Sequence, residues 1–412
     1  MNAASQTADA KKKEKRRLLE GKTILLGITG SIAAYKIAYL ASALKKKKAD
    51  IHVIMTKNAC NFINPVTFET LTGNKCLTDT FDRGFTFEVE HISLAKKADL
   101  VLIAPASANM IGKIAHGIAD DMLSTTVMAC RCPKLISPAM NTAMYENPVV
   151  QDNLSTLKHY GWEVIDPATG YLACGDTGAG KMPEPETLLA CIEHTIGCKK
   201  DMKGLKVLVT AGPTQEAIDP VRYITNHSSG KMGYAIARAA AMRGADVTLV
   251  SGRTALDPPM FVRMVPVLTA ADMFEAVTSV SEEQDIIIKA AAVADYRPAA
   301  VSEDKIKKSE GQMEIRLERT EDILKYLGEH KPRGQFLCGF SMETENLIDN
   351  SRAKLLKKHA DVICANSIAG DKTGFAVDTN KVTLITPDAI EELPLCSKEE
   401  TADRILDFLC IS

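Results

Sequence analysis

The stretch Lys22-Thr23-Ile24-Leu25-Leu26-Gly27-Ile28-Thr29-Gly30-Ser31-Ile32-Ala33-Ala34-Tyr35-Lys36-Ile37-Ala38-Tyr39-Leu40 decides the fold. Residues 22–28 form an apolar run closed by a turn signal, the pattern of a strand buried on both faces. After Thr29-Gly30-Ser31, residues Ile32, Ala33, Tyr35, Lys36, Ile37 and Leu40 follow helical spacing. Strand, tight turn and helix in this order make one β-turn-α unit. Outward from it, strands are expected at 51–55, 100–104, 134–137 and 163–165, with helices at 119–129 and 149–160. Strands alternating with helices predict a parallel sheet covered on both faces.

Around Gly197-Cys198-Lys199-Lys200-Asp201 the periodicity lapses, and a new buried strand opens at 205–210. The second half repeats the logic without repeating the sequence. It predicts strands at 205–210, 246–250, 285–290, 335–340 and 361–365, helices at 232–243, 271–281 and 347–359, a late strand at 382–385 and a closing helix at 398–409. The chain therefore reads as α/β with two doubly wound, Rossmann-like domains: a basic tail at 1–20, a first domain at 21–196, a linker at 197–203 and a second domain at 204–412. Ligands of such sheets bind at the carboxyl ends of the strands, so the informative residues should follow each strand.

Composition narrows the function. Across 412 residues, 50 Lys+Arg face 52 Asp+Glu, a net charge of −2, so no global charge marks a nucleic-acid binder and any anion site must be local. No apolar run reaches the roughly 18 residues of a spanning helix, which predicts no membrane association. The tail carrying Lys11, Lys12, Lys13, Lys15, Arg16 and Arg17 has no apolar core behind its charges and does not read as a secretory signal. Eleven scattered cysteines fit free thiols in a reducing cytoplasm better than a disulfide framework.

Several motifs compete. Gly175 to Lys181 has the spacing of a phosphate-binding P-loop, but Met182 stands where the magnesium-holding hydroxyl belongs, and Pro183 and Pro185 are expected to obstruct the required helix. No Gly-x-Gly-x-x-Gly follows either opening strand, which weakens a nicotinamide reading. Cys130 and Cys132 lack a second pair at zinc spacing and read as ordinary thiols. By contrast, Gly30-Ser31, Pro105-Ala106-Ser107-Ala108-Asn109 and Asp120-Asp121-Met122-Leu123-Ser124-Thr125 fall on successive strand-to-helix turns. Each alone reads equally as a helix cap; together they suggest a mononucleotide pocket.

At this point longer motifs become informative. Gly30-Ser31-Ile32-Ala33-Ala34-Tyr35-Lys36, Pro105 to Asn109, His116-Gly117-Ile118-Ala119-Asp120-Asp121, Pro138-Ala139-Met140-Asn141 and Leu172-Ala173-Cys174-Gly175 resemble the flavin-containing cysteine decarboxylases. Gly212-Pro213-Thr214, the run from Ile224 to Gly233, residues 290–298 and Lys305-Ile306-Lys307-Lys308 resemble phosphopantothenate–cysteine ligase. Both in this order on one chain are similar to the bacterial bifunctional coenzyme A biosynthesis proteins, over all but the basic tail.

The resemblance implies a flavodoxin-like decarboxylase domain with FMN, followed by a ligase domain using CTP and Mg2+. The ligase would activate phosphopantothenate as an acyl-cytidylate and pass it to cysteine, giving phosphopantothenoylcysteine; FMN-dependent oxidation, loss of CO2 and reduction would then yield phosphopantetheine. His91 would move a proton or hold the carboxylate, Asn141 would bind the substrate carboxylate, and Cys174 would protonate the decarboxylated product. Gly30, Ser31, Thr56, Ser107, Asn109 and Ser124 would hold FMN. The Cys174 loop, glycine-rich through Gly180, would be a mobile flap.

In the ligase half, Asn226 would contact the acyl intermediate, and Ser229, Gly230, Lys231, Asp295, Lys305, Phe340, Lys354 and Lys358 would hold CTP. Arg222, and the lysines at 354 and 358 on one helix face, read equally as solvated surface without the family match. Ser341-Met342 depart from the two alanines common in relatives. The resemblance further implies homo-oligomers, with flavin domains in trimers that build dodecamers and ligase domains in pairs. Other functions fit these residues less well: a flavin prenyltransferase shares the fold but would not need Cys174. A peptidyl-cysteine decarboxylase would need no ligase half, and a non-catalytic flavin-binding regulator would lack one of His91, Asn141 and Cys174, all of which are present.

Overall fold

The computed structural model describes residues 18–80, 90–171, 175–307, 313–343, 346–367 and 379–411. The chain divides into two compact units, Met1–Cys198 and Lys199–Ser412.

The first unit opens with β1 (Thr23–Ile28), α1 (Ala34–Lys46), β2 (Asp50–Met55), α2 (Pro65–Thr72) and β3 (Cys76–Leu77). It continues with α3 (Glu90–Lys97), β4 (Leu100–Ala106), α4 (Ala108–Ala115), α5 (Met122–Ala129) and β5 (Lys134–Pro138). After α6 (Thr142–Tyr145), α7 (Pro148–His159) and β6 (Glu163–Val164) come the hairpin strands β7 (Ala168–Tyr171) and β8 (Thr177–Lys181), and then α8 (Pro185–Ile196). Strands β1 to β6 form a parallel sheet in the order β3-β2-β1-β4-β5-β6. Every residue of β1 is buried because both faces are covered. Ile24, Leu26 and Ile28 pack with Ile37, Leu40 and Leu44 of α1, while Leu25 packs with Val101, Ile103, Met110 and Leu123 on the other face. The strand order reverses direction at β1, between β2 and β4, and this opens a crevice at their carboxyl ends.

Helix starts follow local chemistry. Ser107 caps α4 by accepting from the Met110 N–H at 3.4 Å. Asp121 and Ser124 form a capping box, so α5 begins at Met122, later than the 119 expected from periodicity. The prolines after Lys181 do not obstruct a helix: Pro185 occupies the first turn of α8, where its missing N–H is no loss. The P-loop reading fails for another reason. Thr177–Lys181 is a strand paired antiparallel with Ala168–Tyr171, not a loop entering a helix.

The described chain enters the first unit before residue 21. Leu19 is fully buried in the core and Leu18 packs against it, although both lie in the stretch assigned to the tail; residues 1–17 lie outside the described residues.

The second unit contains β9 (Lys206–Ala211), β10 (Gln215–Ala217), β11 (Tyr223–Thr225), α9 (Lys231–Met242), β12 (Asp246–Ser251), β13 (Val262–Pro266), α10 (Ala270–Thr278), β14 (Ile286–Lys289), β15 (Tyr296–Pro298), β16 (Leu317–Arg319) and α11 (Ile323–Glu329). Next come β17 (Phe336–Glu343), α12 (Leu347–Lys357), β18 (Val362–Ser367), β19 (Thr379–Asn380), β20 (Val382–Ile385), β21 (Ile390–Glu392), β22 (Cys396–Ser397) and α13 (Lys398–Ile411). The sheet order is β13-β12-β9-β14-β17-β18-β20-β21, parallel as far as β18 and antiparallel beyond it. Strand β13 escaped the sequence reading: its Val262-Arg263-Met264-Val265-Pro266 is only half-buried at the sheet edge. Gly233 lets α9 lie directly on β9, for a Cβ there would come within 2.6 Å of the Ala211 Cβ. Lys199 to Met202 pack onto this unit, with Met202 fully buried and Asp201 paired at 2.7 Å with the buried Arg243.

Candidate functional site

In the first unit the ends of β1 and β4 are stapled by Thr29, whose hydroxyl donates to the Pro105 carbonyl at 2.7 Å and accepts from the Ser107 N–H at 2.8 Å. This fixes the two polar turns side by side. Gly30 is required at the first turn, because a Cβ would meet that of Asn58 at 2.7 Å. Above these turns lies a cavity of about 600 Å³ lined by Gly30, Ser31, Tyr35, Ser107, Met140 and Asn141, together with Ile32, Met144, Tyr171 and Met182. Its walls are largely apolar, with hydroxyls and turn residues at one end, which suits a flat ring system bearing a phosphate.

Asn141 stands at the start of α6, where its Oδ1 accepts from the Ala143 N–H at 2.9 Å and its Nδ2 donates to Asp176 at 2.7 Å. The hairpin that carries Asp176 is seated on the same loop: the Met140 N–H donates to the Gly180 carbonyl at 3.1 Å. The segment 177–181, expected within a mobile flap, is thus hydrogen-bonded strand. Cys174 lies outside the described residues.

The remaining first-unit candidates are not gathered in this cavity. Thr56 follows β2 and its hydroxyl caps the next turn, accepting from the Ala59 N–H at 3.3 Å. Asn109 is exposed on α4, and Ser124 is buried with its hydroxyl donating to Asp121 at 2.9 Å. His91 is half-buried in the first turn of α3 and is not among the residues that line the cavity. Lys36, quoted in the sequence motif but given no role, is buried beside the cavity and pairs with Glu184 at 2.7 Å.

In the second unit a cavity of about 590 Å³ opens at the carboxyl ends of β14 and β17. Asp295, Phe340, Lys354 and Lys358 all line it, as do Lys289, Arg319, Asp322, Ile323 and Leu324. The Lys354 ammonium donates to the Phe340 carbonyl at 2.9 Å, and Lys358 pairs with Asp322. Burial alone would raise the Asp322 carboxyl; the Lys358 ammonium holds it below the ordinary carboxylate range. Sequence reasoning overlooked Lys289, which ends an Ile-Ile-Ile-Lys strand as though it were surface. It is 8% exposed, and burial pushes its ammonium down to about 7.

Asn226 reaches this cavity through backbone, its Nδ2 donating to the Ala292 and Val293 carbonyls at 3.3 and 3.0 Å. Gly230 precedes α9 with φ of +73°, stacked on Gly212 and Thr254; Ser229, Gly230 and Lys231 form a separate cluster at the end of β9 rather than part of the cavity lining. Lys305 is exposed, and its neighbour Ile306 is pinned by its N–H to Asp219 at 3.2 Å and its carbonyl to Arg222 at 3.0 Å. Arg222 is therefore structural: it grips Asp219 at 2.5 Å and holds that carboxyl far below its ordinary range. Among the described residues no group of three or more His, Cys, Asp or Glu is placed to hold a metal.

Comparison with known proteins adds to this geometry. The family model described as Flavoprotein matches residues 12–197, and the one described as DNA/pantothenate metabolism flavoprotein C-terminal domain matches residues 202–411. The chain is 46% identical over 393 residues to the coenzyme A biosynthesis bifunctional protein CoaBC of Bacillus subtilis (strain 168), covering 94% of this chain and 97% of that protein. It is 42% identical over 392 residues to the protein of the same description from Escherichia coli (strain K12), again covering 94% and 97%. A crystal structure of the C-terminal domain of such a protein shares 47% identity, with a TM-score of 0.45, over 52% of this chain and 97% of that one.

Proposed function

The chain belongs to the family of bifunctional coenzyme A biosynthesis proteins, and from that premise we propose how its two units divide the work. The protein carries out two consecutive steps: CTP-dependent ligation of phosphopantothenate with cysteine, then FMN-dependent decarboxylation of phosphopantothenoylcysteine to phosphopantetheine.

Ligation belongs to the second unit. Asp295, Phe340, Lys354 and Lys358 receive the nucleotide in the cavity, while Ser229, Gly230 and Lys231 at the start of α9 offer hydroxyl, backbone N–H and ammonium donors to phosphates. Mg2+ bound to the triphosphate, rather than to a cluster of protein ligands, would offset its charge. The phosphopantothenate carboxylate attacks the α-phosphorus and pyrophosphate departs; Lys305, on the segment pinned by Asp219 and Arg222, offsets the charge that gathers there. Asn226, anchored to the cavity-lining loop, positions the acyl-cytidylate for attack by the cysteine amine, which expels CMP.

Decarboxylation belongs to the first unit. The turns at Gly30-Ser31 and Ser107, with the apolar wall of Ile32, Met140 and Met182, fit FMN, with Thr56, Asn109 and Ser124 as further candidates from the resemblance. When bound, FMN supplies the two-electron oxidation of the substrate thiol and the returning reduction. Asn141, oriented by Asp176, presents its amide to the carboxylate that leaves as CO2. Cys174 returns a proton to the decarboxylated product, and His91 completes the set of proton-handling groups. No described helix is long and apolar enough to cross a membrane. We place the protein in the cytoplasm as a homo-oligomer, trimers of flavin domains building dodecamers with paired ligase domains.

One observation carries this reading: near-full-length identity to bifunctional relatives, on a chain whose two units each hold a cavity at their strand ends. Purified protein supplied with phosphopantothenate, cysteine, CTP and Mg2+ should release pyrophosphate and CO2 and form phosphopantetheine by mass. Absence of the ligated product, with the protein folded, would overturn it.

A further inference from the structure

Lys289 is the anomaly of the second unit. It sits in the central strand β14, in register with Thr210 of β9 and Gly339 of β17, where a parallel sheet covered on both faces favours apolar side chains. The preceding strand residues Ile286, Ile287 and Ile288 follow that rule. Around it stand Ile323 and Leu324, themselves nearly inaccessible. Burying an ammonium costs several kcal/mol unless something pairs with it. Among the described residues the Lys289 ammonium forms no hydrogen bond or ion pair; Asp322, the acidic residue that acts on it, is engaged by Lys358. The ammonium lines the cavity with its donors unused by protein.

We propose that Lys289 reads the nucleobase: its ammonium donates to the adjacent O2 and N3 acceptors of the cytosine ring, making it a specificity-determining residue for CTP. The inference rests on the ligase reading of this cavity. Two features favour the base over the phosphates as its partner. Arg319 and Lys357 are exposed, while Lys354 and Lys358 are only partly buried, so cationic groups able to meet a hydrated, multiply charged triphosphate extend to where solvent reaches. The floor, bounded by Ile323, Leu324 and Phe340, suits a flat, uncharged ring. Cytosine presents O2 and N3 side by side, and a single ammonium spans both. Uracil carries a proton on N3, which would face the ammonium donor to donor.

The test compares full-length wild type and Lys289→Met, using CTP and 3-deazacytidine triphosphate, which has CH in place of N3. Pyrophosphate release is measured with phosphopantothenate, cysteine and Mg2+ present. A hydrogen bond from a charged donor predicts that wild type prefers CTP over the deaza nucleotide by about tenfold to a hundredfold in kcat/KM. In Lys289→Met that preference should shrink to within about twofold, by a larger loss on CTP, which gives up contacts at O2 and N3, than on the deaza nucleotide, which gives up only O2. Methionine is near-isosteric and apolar, so the apo variant should melt no lower than wild type, which separates a binding defect from a folding one. Equal loss on both nucleotides would mean that Lys289 meets phosphate or sugar, and unchanged CTP kinetics would mean that it meets nothing; either overturns the proposal. Wild type that turns over no CTP at all would instead bring down the ligase reading, and the inference with it.

Discussion

At the scale of single residues, the unusual pair Ser341-Met342 finds its explanation in a partner that sequence could not supply. The Ser341 hydroxyl lies 2.6 Å from that of Ser351, one on β17 and the other on α12, and both are buried. Strand and helix are thereby joined beside Phe340 and Lys354, two residues that line the second unit's cavity. Ser341→Ala should strand the Ser351 hydroxyl without a partner and cost about 1–3 kcal/mol in urea unfolding, whereas Ser341→Ala with Ser351→Ala should recover most of that loss. A double variant no more stable than the single one would refute the pairing. Lys289 escaped sequence reading for a related reason: a lysine after three isoleucines looks like the solvated end of a strand, and only the neighbouring strands and Ile323 reveal that it is interior. Cys132 is the opposite case. Read as an ordinary thiol, it lies beside Cys130, and that neighbour together with Lys134 holds it below the ordinary thiol range.

At the scale of elements, turn chemistry was readable and element contacts were not. Gly30, Ser107 and the Asp121–Ser124 box lie within a few residues of the structures they terminate, so local chemistry announces them. The hairpin of β7 and β8 is different, because its strands are short, glycine-rich and largely exposed. What makes it an element is its seat on the Asn141 loop. Gly180 has φ of +130°, and a Cβ there would come within 2.3 Å of the Met140 carbonyl oxygen. Gly180→Ala should therefore lift the hairpin from that loop, displace Asp176 from Asn141 and lower CO2 release by about tenfold or more through strain of about 1–3 kcal/mol. Pyrophosphate release by the second unit should be unchanged. Parallel assays of the two products check this, and equal rates of CO2 release in variant and wild type would show that the hairpin seat is dispensable.

At the scale of the whole molecule, each unit has its own core and its own cavity, which predicts that the second can ligate alone. Its start matters. A fragment from Lys199 keeps the buried Met202 and the Asp201–Arg243 pair, and it should be more stable than one from Gly204 by roughly 2–3 kcal/mol, the contribution of one buried methionine. Thermal melts of the two fragments decide this; equal midpoints would return residues 199–203 to the role of a plain linker. The sequence by itself determined the alternation of buried strands and helices, the turns that follow β1 and β4, and the family motifs, because periodicity, caps and motif chemistry act over a few residues. Tertiary structure alone decided which of those motif residues share a cavity: Asp295, Phe340, Lys354 and Lys358 converge from three segments, while Thr56, His91, Asn109 and Ser124 are not among the residues lining the first cavity. It also decided that Arg222 is engaged by Asp219, that Asn141 is held by Asp176, and that Lys289 lines a cavity. Such contacts join residues distant in the chain, and their free energy exists only once the sheets have closed.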